Sequence, residues 1–173
     1  MGMEDMAMTG SLGRLVAIAR REAPRARMEE IGQGLVTVER GLDGDHKGLK
    51  FPRRQITILS KEAWALALEE LTDLAGPVLL PWTMRRANLL VAGVTLPRGP
   101  GSLVSVGPVL LEVTAQTYPC KRMDQAHPGL LKALGPDWRG GVTTRVVEGG
   151  AIAVGDPVEI ERDVTEHRPR LPE

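Results

Sequence analysis

Cys120 is the only cysteine of the chain, and it stands in Tyr118-Pro119-Cys120-Lys121-Arg122-Met123-Asp124, between a proline and two cations. A thiol works as a nucleophile or soft-metal ligand only as the thiolate, and neighbouring positive charge favours that form. Lys121 and Arg122 supply such charge from the next two positions. Pro119 fixes one backbone angle and donates no hydrogen bond, so a strand entering through Val113 and Thr114 is expected to stop there and present Cys120 on a bend. The competing reading is a small buried hydrophobe, because free cysteines are among the most buried residues. The sequence leaves the two open.

Further candidates lie upstream. Gly41-Leu42-Asp43-Gly44-Asp45-His46-Lys47-Gly48 packs three glycines and two aspartates into eight residues. It reads either as a loop with glycines at positive backbone angles and aspartates capping it, or as a loop bringing N–H groups and His46 or Lys47 to a ligand. It lacks the remaining ligands of a calcium loop. Arg53 and Arg54 precede one apolar run, and Arg85-Arg86-Ala87-Asn88 precedes another. Arginines so placed form a solvated strand entrance or an anion clamp, since guanidinium grips oxyanions through paired hydrogen bonds. A zinc site of Cys120 and His127 has no metal-type spacing behind it, and no serine sits in a G-x-S-x-G elbow.

These residues need a scaffold of short strands. Leu12 to Ala19 reads as a first strand and Leu35 to Glu39 as a second, followed by Gln55 to Leu59, Leu89 to Val94, Leu103 to Val106, Val109 to Ala115, Val142 to Val147, Ala151 to Val154 and Val158 to Glu161. Ser60 reads as the N-cap of a helix over 61–75, with Trp64, Leu68, Leu71 and Ala75 on its apolar face, and Gly76-Pro77 ends it. Trp64 is read as core. A short helix is expected over Pro128 to Leu134. The Gly107-Pro108 and Gly155-Asp156-Pro157 turns suggest two related hairpin-like corners of a closed or nearly closed sheet, a barrel or sandwich. The expected class is therefore mainly β with a few helices, an α+β chain. Its expected organisation is a disordered leader at 1–11, one domain at 12–162 and a frayed tail at 163–173.

Composition sets the limits. The 173 residues carry 22 basic and 22 acidic side chains, and only three Trp, one Tyr and one Phe. General nucleic-acid binding is therefore not expected, for want of both field and stacking platforms. A lone cysteine excludes an intramolecular disulfide framework. No apolar run reaches the length of about 18 residues that spans a bilayer, and the N-terminal charges are unlike a signal peptide, so a cytoplasmic location without membrane contact is expected.

Taken in order, Gly41-Leu42-Asp43-Gly44-Asp45-His46, Arg54-Gln55-Ile56-Thr57, Arg85-Arg86-Ala87-Asn88-Leu89, Pro119-Cys120-Lys121-Arg122-Met123 and Gly155-Asp156 resemble the MOSC domain. That module is named after the C-terminal part of molybdenum-cofactor sulfurases and also occurs as small stand-alone bacterial proteins. The resemblance extends over roughly Leu12 to Glu161. It implies a β-barrel-like domain that binds molybdenum cofactor (molybdopterin) or carries sulfur through one cysteine, here Cys120, as metal ligand or persulfide acceptor. It further implies that His46, Arg54, Arg85, Arg86, Asn88, Lys121 and Arg122 meet the phosphate and polar edges of the pterin. An enzyme of this kind would be a sulfur transferase or a molybdenum-dependent oxidoreductase component with a partner electron donor. The family is also associated with pyridoxal phosphate. No desulfurase domain using that cofactor is recognisable here, so a sulfur carrier is expected to need a donor. Some small relatives have an additional cysteine just ahead of the proline; this chain has Tyr118 two positions before Cys120, which removes a resolving thiol. The competing reading is a non-catalytic barrel for an oxyanionic small molecule.

Overall fold

A computed structural model of the chain describes residues 12–164. The expected leader and nearly all of the expected tail lie outside these residues. Eleven strands run as β1 (Gly13–Arg20), β2 (Glu29–Ile31), β3 (Gln33–Thr37), β4 (Gly41–Leu42), β5 (Ile56–Ser60), β6 (Leu89–Ala92), β7 (Leu103–Val106), β8 (Val109–Gln116), β9 (Val142–Glu148), β10 (Gly150–Ala153) and β11 (Pro157–Arg162). Among them stand the helices α1 (Lys47–Lys50), α2 (Lys61–Ala75), α3 (Arg122–Ala126) and α4 (Leu130–Leu134), with 3-10 turns at Trp82–Arg85 and Pro136–Trp138.

Seven strands close into a barrel in the order β11-β7-β8-β9-β5-β6-β1, with β1 pairing back onto β11. β2 pairs with the end of β1 at Ile18–Arg20, beyond the Gly13 and Arg14 that pair with β11, and β10-β3-β4 form a second, three-stranded sheet. Closure leaves no unpaired edge in the wall. Its interior is filled by Leu15, Ile18, Ile56, Ile58, Leu89, Val91, Leu111, Val113 and their neighbours. Strict alternation would send Leu15 and Ile18 to opposite faces. The register of β1 against β6 shifts between Leu15 and Ala17, and this bulge resets the phase so that both point inward.

β5 and β6 are parallel, joined by α2 as a crossover. They are buried on both faces, as strands covered by a helix must be. Ile58 and Leu89 enter the barrel core, whereas Leu59 and Leu90 face a second cluster outside the wall. There Trp64, Ala67 and Leu71 of α2 meet Met123 of α3 and Leu130, Ala133 and Leu134 of α4. The cap works as expected: Ser60 Oγ accepts the Ala63 N–H at 3.2 Å. Trp64 is core, its indole N–H donating to the Leu80 carbonyl.

One expectation fails. β7 and β8 form a hairpin, but Ala151 to Glu161 does not form a second one. β10 pairs with β3, and β11 pairs with β7 and β1. Gly155-Asp156 instead carries the chain from the small sheet to the barrel, with Asp156 Oδ2 accepting the Ala153 N–H. Buried Gln55 ties the two together, donating to the Val38 carbonyl and accepting from Val146 N–H, each at 2.7 Å. Among the described residues, no helix is long and apolar enough to cross a membrane.

Candidate functional site

Five chain segments converge outside the barrel wall: the end of β1, the residues entering α1, those entering β5, those entering β6, and those leaving β8. β8 ends at Gln116, and Cys120 follows as an exposed free thiol. The Cys120 carbonyl accepts the Met123 N–H at 2.9 Å, opening the turn that becomes α3. Buried Met123 anchors that turn in the outer cluster and so holds Cys120 at the surface.

Arg85 builds the floor. It is 7 % exposed; Nε donates to the Gly140 carbonyl at 3.1 Å and Nη2 to the Thr117 carbonyl at 3.0 Å. One planar fork thereby joins the entrance of β6 to the exit of β8 and the entrance of β9. A Cβ on residue 140 would collide with the Thr117 carbonyl, so glycine is required there. Burial pushes the Arg85 guanidinium below the usual arginine range, and the charge of Cys120 opposes that shift. Thiol and guanidinium are therefore electrostatic neighbours.

Lys47 enters from the other side. Gly48 allows this, because a Cβ there would overlap the Arg40 carbonyl and prevent α1 from docking. Lys47 is half-buried, and its Nζ donates to the Arg86 carbonyl at 3.4 Å. Burial pushes its amine down to about 8; Asp45 opposes the shift, while Arg21, Arg85 and Arg54 add to it. Asp45 is 7 % exposed. Its Oδ1 accepts the Arg21 N–H at 3.1 Å, while Oδ2 is buried without a partner. Arg86 has a positive φ of 61°, rare for a residue with a side chain, at the end of the 3-10 turn. That turn of the backbone sends Arg85 inward and Arg86 toward a cavity of about 630 Å³, whose lining includes Arg25, Arg27, Arg86 and Arg122 and no acidic side chain.

The residues singled out in the sequence are thus distributed unevenly. Arg85 lies beside Cys120, Arg86 and Arg122 line the arginine cavity, and Arg54 is exposed within electrostatic reach of Lys47. Lys121 is exposed at the start of α3. His46 lines another cavity, about 360 Å³, with Glu22, Arg40 and Asp43. Asn88 is 0 % exposed; its Oδ1 accepts the Thr57 N–H and its Nδ2 donates to the Ala19 carbonyl. Its amide stitches together β5, β6 and β1. Arg21, Arg25 and Arg27 were not among the sequence candidates, and Asp45 was read there only as a loop-capping residue. The signal for Arg21 was the pair Arg20-Arg21 at a strand end, the same pattern that marked Arg53-Arg54 and Arg85-Arg86.

Among the described residues, no three His, Cys, Asp or Glu side chains come together as a metal cage. A bare cation therefore finds no ligand set among the described residues, whereas a metal that brings its own ligands would need one soft protein donor of the kind Cys120 is.

The sequence profile of the MOSC domain matches residues 43–159. Among solved structures, the YuaD protein from Bacillus subtilis superposes with a TM-score of 0.66 at 18 % identity, covering 85 % of this chain and 94 % of that one. YiiM from Escherichia coli gives a TM-score of 0.64 at 18 % identity, over 88 % of this chain and 72 % of that one. YiiM from Geobacillus stearothermophilus gives 0.64 at 17 % identity, over 86 % and 74 %. At these identities the likeness establishes the fold. A comparison with curated protein sequences finds no match.

Proposed function

This chain belongs to the MOSC domain family, which is associated with molybdenum cofactor binding, and from that premise we propose that it binds molybdenum cofactor with Cys120 as the protein ligand to the metal. The observation that carries the reading is the surroundings of one exposed thiol. Arg85 is its electrostatic neighbour, and Arg85 in turn lies within electrostatic reach of Lys47, together with Arg21, Arg54 and Asp45. Thiolate is a soft donor suited to molybdenum, and the cations favour an anionic carrier. When bound, the cofactor supplies a redox-active metal. The protein's part is to present Sγ at the surface, to hold Arg85 rigidly beneath it through two carbonyls, and to offer Lys47 as a proton donor or acceptor.

Molybdenum content per chain, measured by elemental analysis after expression in cofactor-producing cells, tests the assignment. Wild type should carry the metal and Cys120→Ser should not; equal content in both would overturn the reading. Exposure of Cys120 also supports a second reading, in which the thiolate accepts a sulfur atom from a donor persulfide, whose own thiol is released, and holds it for transfer. Intact mass before and after reduction distinguishes it: an extra sulfur that disappears on reduction and is absent from Cys120→Ser.

A further inference from the structure

Because β5 and β6 run parallel, the segments that enter them lie at one end of the pair and the residues that leave them at the other. The entering segments carry Arg54, Arg85 and Arg86. At the other end Ser60 closes β5, Gly93, Val94 and Leu96 follow β6, and all four line a separate cavity of about 380 Å³. That volume falls among small-molecule pockets, roughly 300–1,000 Å³. Parallel strands joined by a helical crossover commonly receive ligands at their carboxyl ends, and α2 begins there. The walls are apolar and held firmly. Val94, Leu96 and Trp138 pack on the barrel cluster and also line the cavity, while Leu66 of α2 stands at it 50 % exposed. Glu62 Oε1 accepts the Gly93 N–H at 2.7 Å, which ties the first turn of α2 to the exit of β6. Asp137 and Trp138 have consecutive positive φ angles of 52° and 55°, a backbone that bulky side chains avoid. Strain of this kind persists where the surroundings fix a side chain for a contact. Here Arg139 N–H donates to the Pro136 carbonyl and Gly141 N–H to the Trp138 carbonyl, each at 3.0 Å. The charges at the cavity are already matched: Arg98 lies 3.4 Å from Asp137, Arg139 2.8 Å from Glu70, and Glu62 holds Gly93. A charged ligand would meet a like charge or break one of these contacts, and a neutral one leaves them intact.

We propose that this cavity binds a small, uncharged, planar aromatic molecule, with its ring against Trp138 and its polar edge at the Thr95 hydroxyl. The site is separate from the cofactor reading and does not depend on it.

Titration of the full chain with benzamide, followed through the Trp138 indole N–H resonance, tests the site. That resonance should shift and approach saturation by about 10 mM, as expected of so small a ligand. Trp138→Leu should weaken binding, read from the ligand's own signals, by about tenfold. Leu66→Glu, at an exposed position, should weaken it severalfold and keeps the test decisive if Trp138→Leu fails to fold. Benzoate and benzylammonium match benzamide in size but carry a charge, and each should bind about tenfold more weakly. Cyclohexanecarboxamide, which lacks the planar ring, should do the same. Absence of a Trp138 shift at that benzamide concentration would overturn the site, and affinity for the charged or non-aromatic probes equal to that for benzamide would overturn the ligand class. A dimer that Leu66→Glu dissociates, with no benzamide bound, would give the cavity to a second copy of the chain and overturn it as well. Cys120→Ser should bind benzamide as the wild type does, so failure of the thiol assignment and failure of this site give different results.

Discussion

Lys47 shows how a single side chain acquires a property its type does not have. Its amine is drawn down to about 8 by burial, with arginines on neighbouring segments reinforcing the effect. Between about 8 and the ordinary value of 10.5, the unfolded chain holds a proton here that the folded chain has released. Stability from this group therefore rises with pH across that window, and below it the fold must carry a desolvated charge. Denaturant midpoints at about pH 7.5 and about pH 10 should show this: wild type gains stability relative to Lys47→Met at the higher pH, and equal changes in the two proteins would contradict it. Cys120 makes the complementary case. Its neighbours Lys121 and Arg122 were legible as charge, but exposure was not, because whether a thiol is buried depends on where α3 is anchored.

At the level of elements, Arg85 and Arg86 separate although the sequence presents them as a pair. The left-handed backbone at Arg86 turns consecutive arginines in different directions. Arg85 becomes a buried clasp between the loops flanking β6, β8 and β9, and Arg86 reaches the cavity. Arg85→Ala leaves two carbonyls without their charged donor and should cost about 2–4 kcal/mol in chemical denaturation. Arg86→Ala, which gives up one long bond to an exposed carbonyl, should stay within about 0.5 kcal/mol. Comparable losses in the two would show that the clasp is not what Arg85 contributes. Asn88 belongs to the same lesson. Arginines followed by asparagine signalled a polar site ahead of β6, yet the amide proves to be a substitute for backbone pairing among β5, β6 and β1.

Across the whole molecule, a chain with no net charge brings Arg21, Arg54 and Arg85 within electrostatic reach of Lys47, so the local field there does not follow from the overall balance. Barrel and site are built from opposite sides of the same strands, with the interior held by aliphatic residues and the site by the loops outside. Leu15 is 0 % exposed within that interior. Leu15→Ala should lower stability by about 2–5 kcal/mol while the remaining folded protein retains the wild-type molybdenum content per chain. A proportional loss of metal would mean that the core sets the site geometry more directly than the loops do.

From the sequence alone came the strand and helix content, the cap at Ser60, the core role of Trp64, the end of β8 ahead of Pro119 and the family, because each rests on local periodicity, turn chemistry or motif order. Strand partners did not follow from it: β10 and β11 look like one hairpin until closure of β11 onto β1 claims the second strand for the barrel. Nor did the grouping of the cations. Lys47, Arg54, Arg85 and Arg122 were legible as candidates and Arg21 was not, but they come from separate segments, and their charges interact only because the folded barrel brings those segments to one place, where burial and distance decide which of them remain available to a ligand.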